Sequence, residues 1–217
     1  MRALGRPGAV AATMVLAFGL TACTNSVPDT PEPTSPVVQL GAPGEPNRTL
    51  SPDEAAALSV PEHTDADVEF MRMMIAHHDQ AIVMTGWVDE RTSNRDVRLL
   101  AERMRISQED ELEQMASWMQ DRGQPLREGG HDHLYAAMPG MLTDEELEQL
   151  EHAKGAEFER LFLEGMIRHH QGALEMVEDL WAAGGGNETW IGEFARHVES
   201  DQGIEIVRMQ QMLAERS

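Results

Sequence analysis

Residues 70–84 read FMRMMIAHHDQAIVM and residues 162–176 read FLEGMIRHHQGALEM. At an offset of 92 they share Phe70/Phe162, Met74/Met166, Ile75/Ile167, His77/His169, His78/His170, Ala81/Ala173 and Met84/Met176. A second correspondence follows each, at an offset of 94. Ala101-x6-Gln108-x2-Glu111-Leu112-x2-Met115 recurs as Ala195-x6-Gln202-x2-Glu205-Ile206-x2-Met209. Order, spacing and residue type agree in both, so the chain carries an internal duplication.

Each repeat reads as two helices. Between Pro61 and the C-terminus only Pro125 and Pro139 occur, so 62–124 and 140–217 can hold long helices. Thr64 is placed to cap a first helix running to about Glu90, and Ser93 or Asn94 a second ending near Gly123. Thr143-x2-Glu146 is a capping-box start. Gly155 divides a short helix from a long one reaching Gly184-Gly185-Gly186, and Asn187 or Thr189 opens the last. Two short hairpin loops and one long connector predict an all-α fold, an antiparallel four-helix bundle of two duplicated hairpins.

Spacings of three and four define the inward stripe of each helix. The first gives Phe70, Met74, His77, Ala81, Met84 and Val88; the third gives Phe162, Met166, His169, Ala173, Met176 and Leu180. The even helices give Val97, Ala101, Met104, Gln108, Glu111, Met115 and Trp118, and Ile191, Ala195, Val198, Gln202, Glu205, Met209 and Met212. Every stripe is apolar at its ends and polar at its middle.

A polar middle needs a reason, because a buried unsatisfied polar group costs about 1–3 kcal/mol. A hydrogen-bonded His–Glu network that fixes helix register is one solution. A metal ion is another, and Glu and His projecting inward from four helices is how bundles build metal centres. Successive helical residues diverge by about 100°, so His77 and His169 take the seam while His78 and His170 flank it. Met74 and Met166 lie one turn before the seam histidines, which puts thioether beside imidazole. That donor set favours copper, particularly Cu(I), over Mg or Ca, although other divalent metals remain compatible. The ligands this reading expects are His77, His78, His169 and His170, with Met74, Met166, Glu111 and Glu205 beside them.

The doubled Met-Ile-x-His-His-x2-Ala-x2-Met motif, the Gln-x2-Glu-(Leu/Ile)-x2-Met that follows each, and Met138-Pro139-Gly140-Met141-Leu142-Thr143 resemble the domain-of-unknown-function 305 family over about 62–214. The resemblance implies a ferritin-like bundle, export or lipid anchoring in bacteria, and, for some members, copper binding and tolerance. By the same resemblance the His and Met of the two motifs, Met84 and Met176 among them, are the copper ligands.

The N-terminal part reads differently. Arg2 and Arg6 precede an apolar run from Ala9 to Leu20, then Leu20-Thr21-Ala22-Cys23, which describes a signal peptide over 1–22. Leu-Thr-Ala-Cys resembles a lipobox, with Cys23 as the lipidated mature N-terminus and the membrane as the partner it reaches. Eight of the 11 prolines lie between Pro28 and Pro61, so 23–61 reads as a disordered spacer. Within it, Ser51-Pro52-Asp53-Glu54 is a short helix start.

Charge and composition exclude other classes. Lys and Arg number 17 against 38 Asp and Glu, a net charge of −21, which opposes nucleic-acid binding. The single cysteine excludes a disulfide framework and multi-cysteine metal sites. No nucleophile constellation, phosphate loop or dinucleotide fingerprint is present. A ferritin-like redox enzyme with a di-metal centre is the competing functional reading. The usual di-iron pattern pairs Glu-x2-His, and Met74 and Met166 stand where that Glu would be. A metal-free interaction module with a buried polar network is the third. The connector carries His131-Asp132-His133, a second and weaker metal candidate. His63, His152 and His197 are expected to face solvent without partners. Homo-oligomerisation is compatible with the bundle.

Overall fold

The computed structural model describes residues 37–40, 44–56, 61–126 and 138–215. The expected signal peptide, Cys23 and His131-Asp132-His133 lie outside them. The chain divides into two compact units, up to Leu58 and from Ser59 onward.

In the first unit β1 (Val38–Gln39) pairs antiparallel with β2 (Arg48–Thr49), and α1 (Pro52–Ala56) follows. Ser51 begins α1 as expected, its Oγ accepting from Glu54 N–H at 3.3 Å. None of the helices among the described residues is long and apolar enough to cross a membrane.

The second unit is the four-helix bundle. Its long helices are α2 (Asp65–Gly86), α4 (Arg95–Asp121), α6 (Gly155–Ala182) and α7 (Thr189–Ala214). Two short ones, α3 (Val88–Arg91) and α5 (Asp144–His152), join them. α2 packs on α4, α6 on α7, and the two hairpins meet through α2 and α6. Most of the expected caps form. Thr64 and Asp67 make a reciprocal box, as do Thr143 and Glu146. Asn94 rather than Ser93 caps α4, its Oδ1 accepting from Asp96 and Val97.

Two boundaries differ from expectation. The first helix stops at Gly86 instead of continuing to Glu90. Thr85 Oγ1 bonds back to Ala81 O at 2.8 Å, glycine follows, and α3 resumes after Trp87. Neither Asn187 nor Thr189 caps α7; the cap position is Glu188, whose carboxylate instead accepts from Trp118 Nε1 at 3.1 Å and pairs with Arg122. The α7 start is thus fixed by a tertiary contact with the end of α4.

Both hairpins are latched by a buried carboxylate from the other repeat. Asp67, fully buried, accepts from Gly186 N–H at 2.6 Å in the α6–α7 loop. Glu159, its counterpart 92 residues on, accepts from Thr92 Oγ1 at 2.5 Å and Asn94 Nδ2 at 2.9 Å at the start of α4. Each repeat therefore closes the loop of its partner, which favours the two hairpins docking in one register.

The buried apolar side chains form two clusters. One holds Phe70, Met74, Met115, Met176 and Leu180; the other holds Met84, Met104, Phe162, Met166 and Met209. The start of α2 meets the end of α6, as an antiparallel pair requires. The polar middles of the four stripes fall between the two clusters.

Candidate metal centre

That middle layer contains His77, His78, His169 and His170, all with 0% exposure. His78 and His170, expected to flank the seam, are as buried as the seam pair. Helix α4 brings Gln108 and Glu111 to the layer and α7 brings Gln202 and Glu205. Both glutamines are 3% exposed, and the Glu111 and Glu205 side chains 13% and 17%.

The glutamates bond to the second histidine of each pair. His78 Nε2 donates to Glu111 Oε2 at 2.6 Å, and His170 Nε2 donates to Glu205 Oε2 at 2.7 Å. Helix phase explains this. A residue one step past the seam turns about 100°, toward the even helix of its own hairpin. The seam histidines face each other, with ring centroids 3.7 Å apart and planes inclined by 34°.

Their ring nitrogens are oriented by backbone carbonyls. His77 Nε2 lies 3.1 Å from Pro139 O, and His169 Nε2 lies 2.9 Å from His77 O. A carbonyl oxygen only accepts, so Nε2 carries the hydrogen in both. Burial, reinforced by the neighbouring His78 ring, pushes His77 down to about 3. Burial and the surrounding His77, His170 and His78 rings hold His169 well below the ordinary imidazole value. Both rings are neutral at pH 7, with Nδ1 as a bare lone pair.

The same edge is unused on all four rings. Among the described residues, Nδ1 of His77, His78, His169 and His170 finds no hydrogen-bond partner, nor do Gln108 Oε1 and both amide atoms of Gln202. Seven buried polar atoms thus converge on one layer without protein partners, each costing roughly 1–3 kcal/mol if left so. The thioethers stand on both sides. Met74 and Met176 belong to the cluster on one side, Met84 and Met166 to that on the other. Among the described residues, no three His, Cys, Asp or Glu side chains are placed to hold an ion by themselves.

The connector closes one side of the layer. Besides the Pro139 carbonyl on His77, Leu142 is held at both backbone groups by Gln80, its N–H donating to Oε1 at 2.8 Å and its O accepting from Nε2 at 3.0 Å. Gly140, at φ +76°, lies directly on Gly172 of α6, where an added Cβ would come within 2.0 Å of Pro139 O. Gln80 and Gly172 are counterparts in the repeat, 92 apart. One repeat grips the connector with a side chain, the other with bare backbone. Neither role was read from the sequence, although the departure from the repeat at this position is visible there.

The other described histidines lie elsewhere. His63 is half-buried edge-on against Trp118, with centroids 5.5 Å apart, and His152 Nδ1 donates to Glu148 O at 2.7 Å, so both have partners, contrary to expectation. His197 is exposed, as expected. In the connector Met138 is buried and Met141 half-buried.

The sequence profile of the DUF305 family, a domain of unknown function, matches residues 67–213. The structure is similar to a DUF305 fragment from Deinococcus radiodurans, at 33% identity over 71% of this chain and 99% of that one, with a TM-score of 0.64. A DUF305 protein of Streptomyces coelicolor, whose name classes it as secreted, matches at 31% identity over 70% and 93%, with a TM-score of 0.63. CopM in its Cu(I)-bound form matches at 25% identity over 69% and 96%, with a TM-score of 0.56. CopM also has Cu(II)- and Ag-bound forms. An uncharacterised protein of Acanthamoeba polyphaga mimivirus is 36% identical over 56 residues, which span 26% of this chain and 37% of that relative.

Proposed function

This chain belongs to the DUF305 family, and we propose that it is an extracytoplasmic copper-binding or copper-buffering protein, anchored through lipid on Cys23. The copper site is the buried His/Met layer. Its ligands come from His77, His78, His169 and His170 through Nδ1, with Met74, Met166, Met84 and Met176 as thioether donors. Glu111 and Glu205 complete the set, either as oxygen donors or by orienting His78 and His170, the second being the way carboxylates usually support a metal-bound imidazole.

The observation that carries this reading is the shared unused edge of four neutral or carboxylate-oriented imidazoles beside buried sulfur. Because no three His or carboxylate groups among the described residues are placed to hold an ion alone, an ion held in this layer draws on thioether, and imidazole with thioether selects Cu(I). The copper- and silver-bound CopM structures, of related fold, support the same choice. The bound ion would satisfy the Nδ1 lone pairs, and no redox step is required of it. A di-iron oxidase is disfavoured by Met74 and Met166 in the positions where carboxylates would be needed.

One observation favours a metal-free register network: His78–Glu111 and His170–Glu205 are already bonded without an ion. The two readings separate experimentally. Anaerobic Cu(I) titration against a competing chelator is run on the parent, Met74→Leu, Met166→Leu, His77→Ala and His169→Ala. Copper binding predicts at least a tenfold loss of affinity in each His variant, about 1.4 kcal/mol. The Met→Leu variants lose affinity with little change in stability, because volume and helix propensity are kept. Stability losses with unchanged Cu(I) affinity would establish the network instead.

A further inference from the structure

The connector closes the histidine layer on one side, and the other side is built differently. α4 and α7 each pack on the odd helix of their own hairpin, with little direct contact between them. Between them lie two adjoining depressions of about 300 and 310 Å³. Ser107 and Asp201 line the first, one from each helix, and these are counterparts in the repeat at the offset of 94. The groove therefore runs where the two halves of the duplication face each other.

The next residue on each helix is the buried glutamine. Gln108 Oε1 and the whole amide of Gln202 find no hydrogen-bond partner among the described residues. Glu205 belongs to both places: it lines both depressions and accepts from His170 Nε2 at 2.7 Å. Glu205 thus links the groove, which Leu99, Leu100, Ile106 and Ile204 also line, to the histidine layer. Asp96, Asp201 and Glu205 face the groove against Arg103 and Arg208, so its walls are net acidic.

We infer that the α4–α7 groove is the path by which a soft monovalent cation reaches the histidine layer. Glu205 and the amide oxygens of Gln108 and Gln202 act as transfer donors that take the ion over from water. This rests on the copper-binding reading above. The two glutamines suit a relay and not a final site, and Glu205 stands where the relay meets the site. Amide and carboxylate oxygens are weak partners for Cu(I), so an ion held by them passes on to imidazole and thioether. Gln202 can reorient without breaking a hydrogen bond to any described residue, which keeps the passage open to rotamer motion.

The test compares rates with equilibria. The full-length chain takes Cu(I) from a chromogenic chelator under anaerobic conditions, followed by stopped flow, and its affinity and melting temperature are measured in parallel. Ile204→Trp places bulk on an exposed residue of the groove, Gln202→Leu removes the relay amide, and Val83→Trp adds the same bulk to an exposed position of α2 that is not among the groove's lining residues. Uptake should slow at least fivefold in Ile204→Trp and Gln202→Leu, with affinity within twofold of the parent, while Val83→Trp keeps the parent rate. A parent-like rate in Ile204→Trp with affinity intact overturns the path and leaves the copper site standing. Should Ile204→Trp melt early, the rate of Gln202→Leu decides in the same way. Absence of Cu(I) binding in the parent overturns the copper reading, and the path with it.

Discussion

His169 donates its Nε2 hydrogen to the backbone carbonyl of His77, while His77 donates its own to Pro139 in the connector. The two seam histidines are equivalent in the repeat but not in the fold. The bond from His169 lies within the α2–α6 crossing; the bond from His77 ties that crossing to the segment that covers it. His77→Ala should therefore expose the connector to limited proteolysis before the bundle unfolds, and His169→Ala should not. Equal cleavage in the two variants would show that the carbonyl contacts carry no such difference.

The depressed pKa of His77 sets the acid side of stability in the metal-free protein. The folded value is about 3 against an ordinary 6.5, so the unfolded chain binds the extra proton between those values. His77 is faced by His78 on its own helix and by His169 and His170 from α6; Glu111 and Glu205 are engaged by His78 and His170. Its contribution is fully present above pH 6.5 and is lost as pH falls toward 3, on the order of a few kcal/mol, with His169 acting in the same direction. Urea denaturation from pH 7 to pH 4 should show this decline, and His77→Gln should reduce its slope. A parent slope no steeper than that of the variant would remove His77 from the account.

The crossed latches predict additive losses at opposite ends of the bundle. Asp67→Ala and Glu159→Ala each strip a buried loop contact and should cost about 1–3 kcal/mol in urea unfolding. The two residues start helices that run antiparallel, roughly 30 Å apart by helical rise, so the double variant should show the sum. A strongly non-additive result would mean the two hairpins do not dock as separate latched units.

Contact between Gly140 and Gly172 leaves no room for a side chain. Gly172→Ala would drive Cβ against the backbone carbonyl of Pro139, and should destabilise by about 1–3 kcal/mol. Gln80→Ala, which frees Leu142 N–H and O, should fall in the same range. A Gly172→Ala protein of unchanged stability would contradict the close approach.

The repeat, the four stripes and most helix starts were legible in the sequence because each is written along a single helix, in periods of three and four and in capping residues. Every stripe residue named from spacing is buried except Glu111 and Glu205, which are half-buried. Partner choice across helices was not legible. Spacing places His78 about 100° from the seam but does not say that this turns it onto Glu111. The latch was within reach: Asp67 and Glu159 extend the repeat three residues before Phe70 and Phe162, yet nothing local says that the carboxylates cross to the opposite loop. The connector grip depends on Gly172 meeting Pro139, a contact between segments 33 residues apart that leaves no periodic trace.

Cys23 carries the membrane proposal. The full-length chain expressed in a bacterial host should partition into detergent, and Cys23→Ala should release it or leave it unprocessed. An intact mass showing unmodified Cys23 on a soluble secreted chain would rule out the anchor.

The central claim is that the ion binds through the imidazole edge the protein leaves unused. Nitrogen-15 NMR of the histidine rings, before and after one equivalent of Cu(I), reads that edge directly. Before addition, His77 and His169 should show Nε2 protonated and Nδ1 bare. On loading, the Nδ1 resonances of the layer histidines should shift while Nε2 of His77 and His169 keeps its hydrogen. Unchanged layer histidines, with the shifts confined to His131 and His133, would contradict the account and move the copper to the connector.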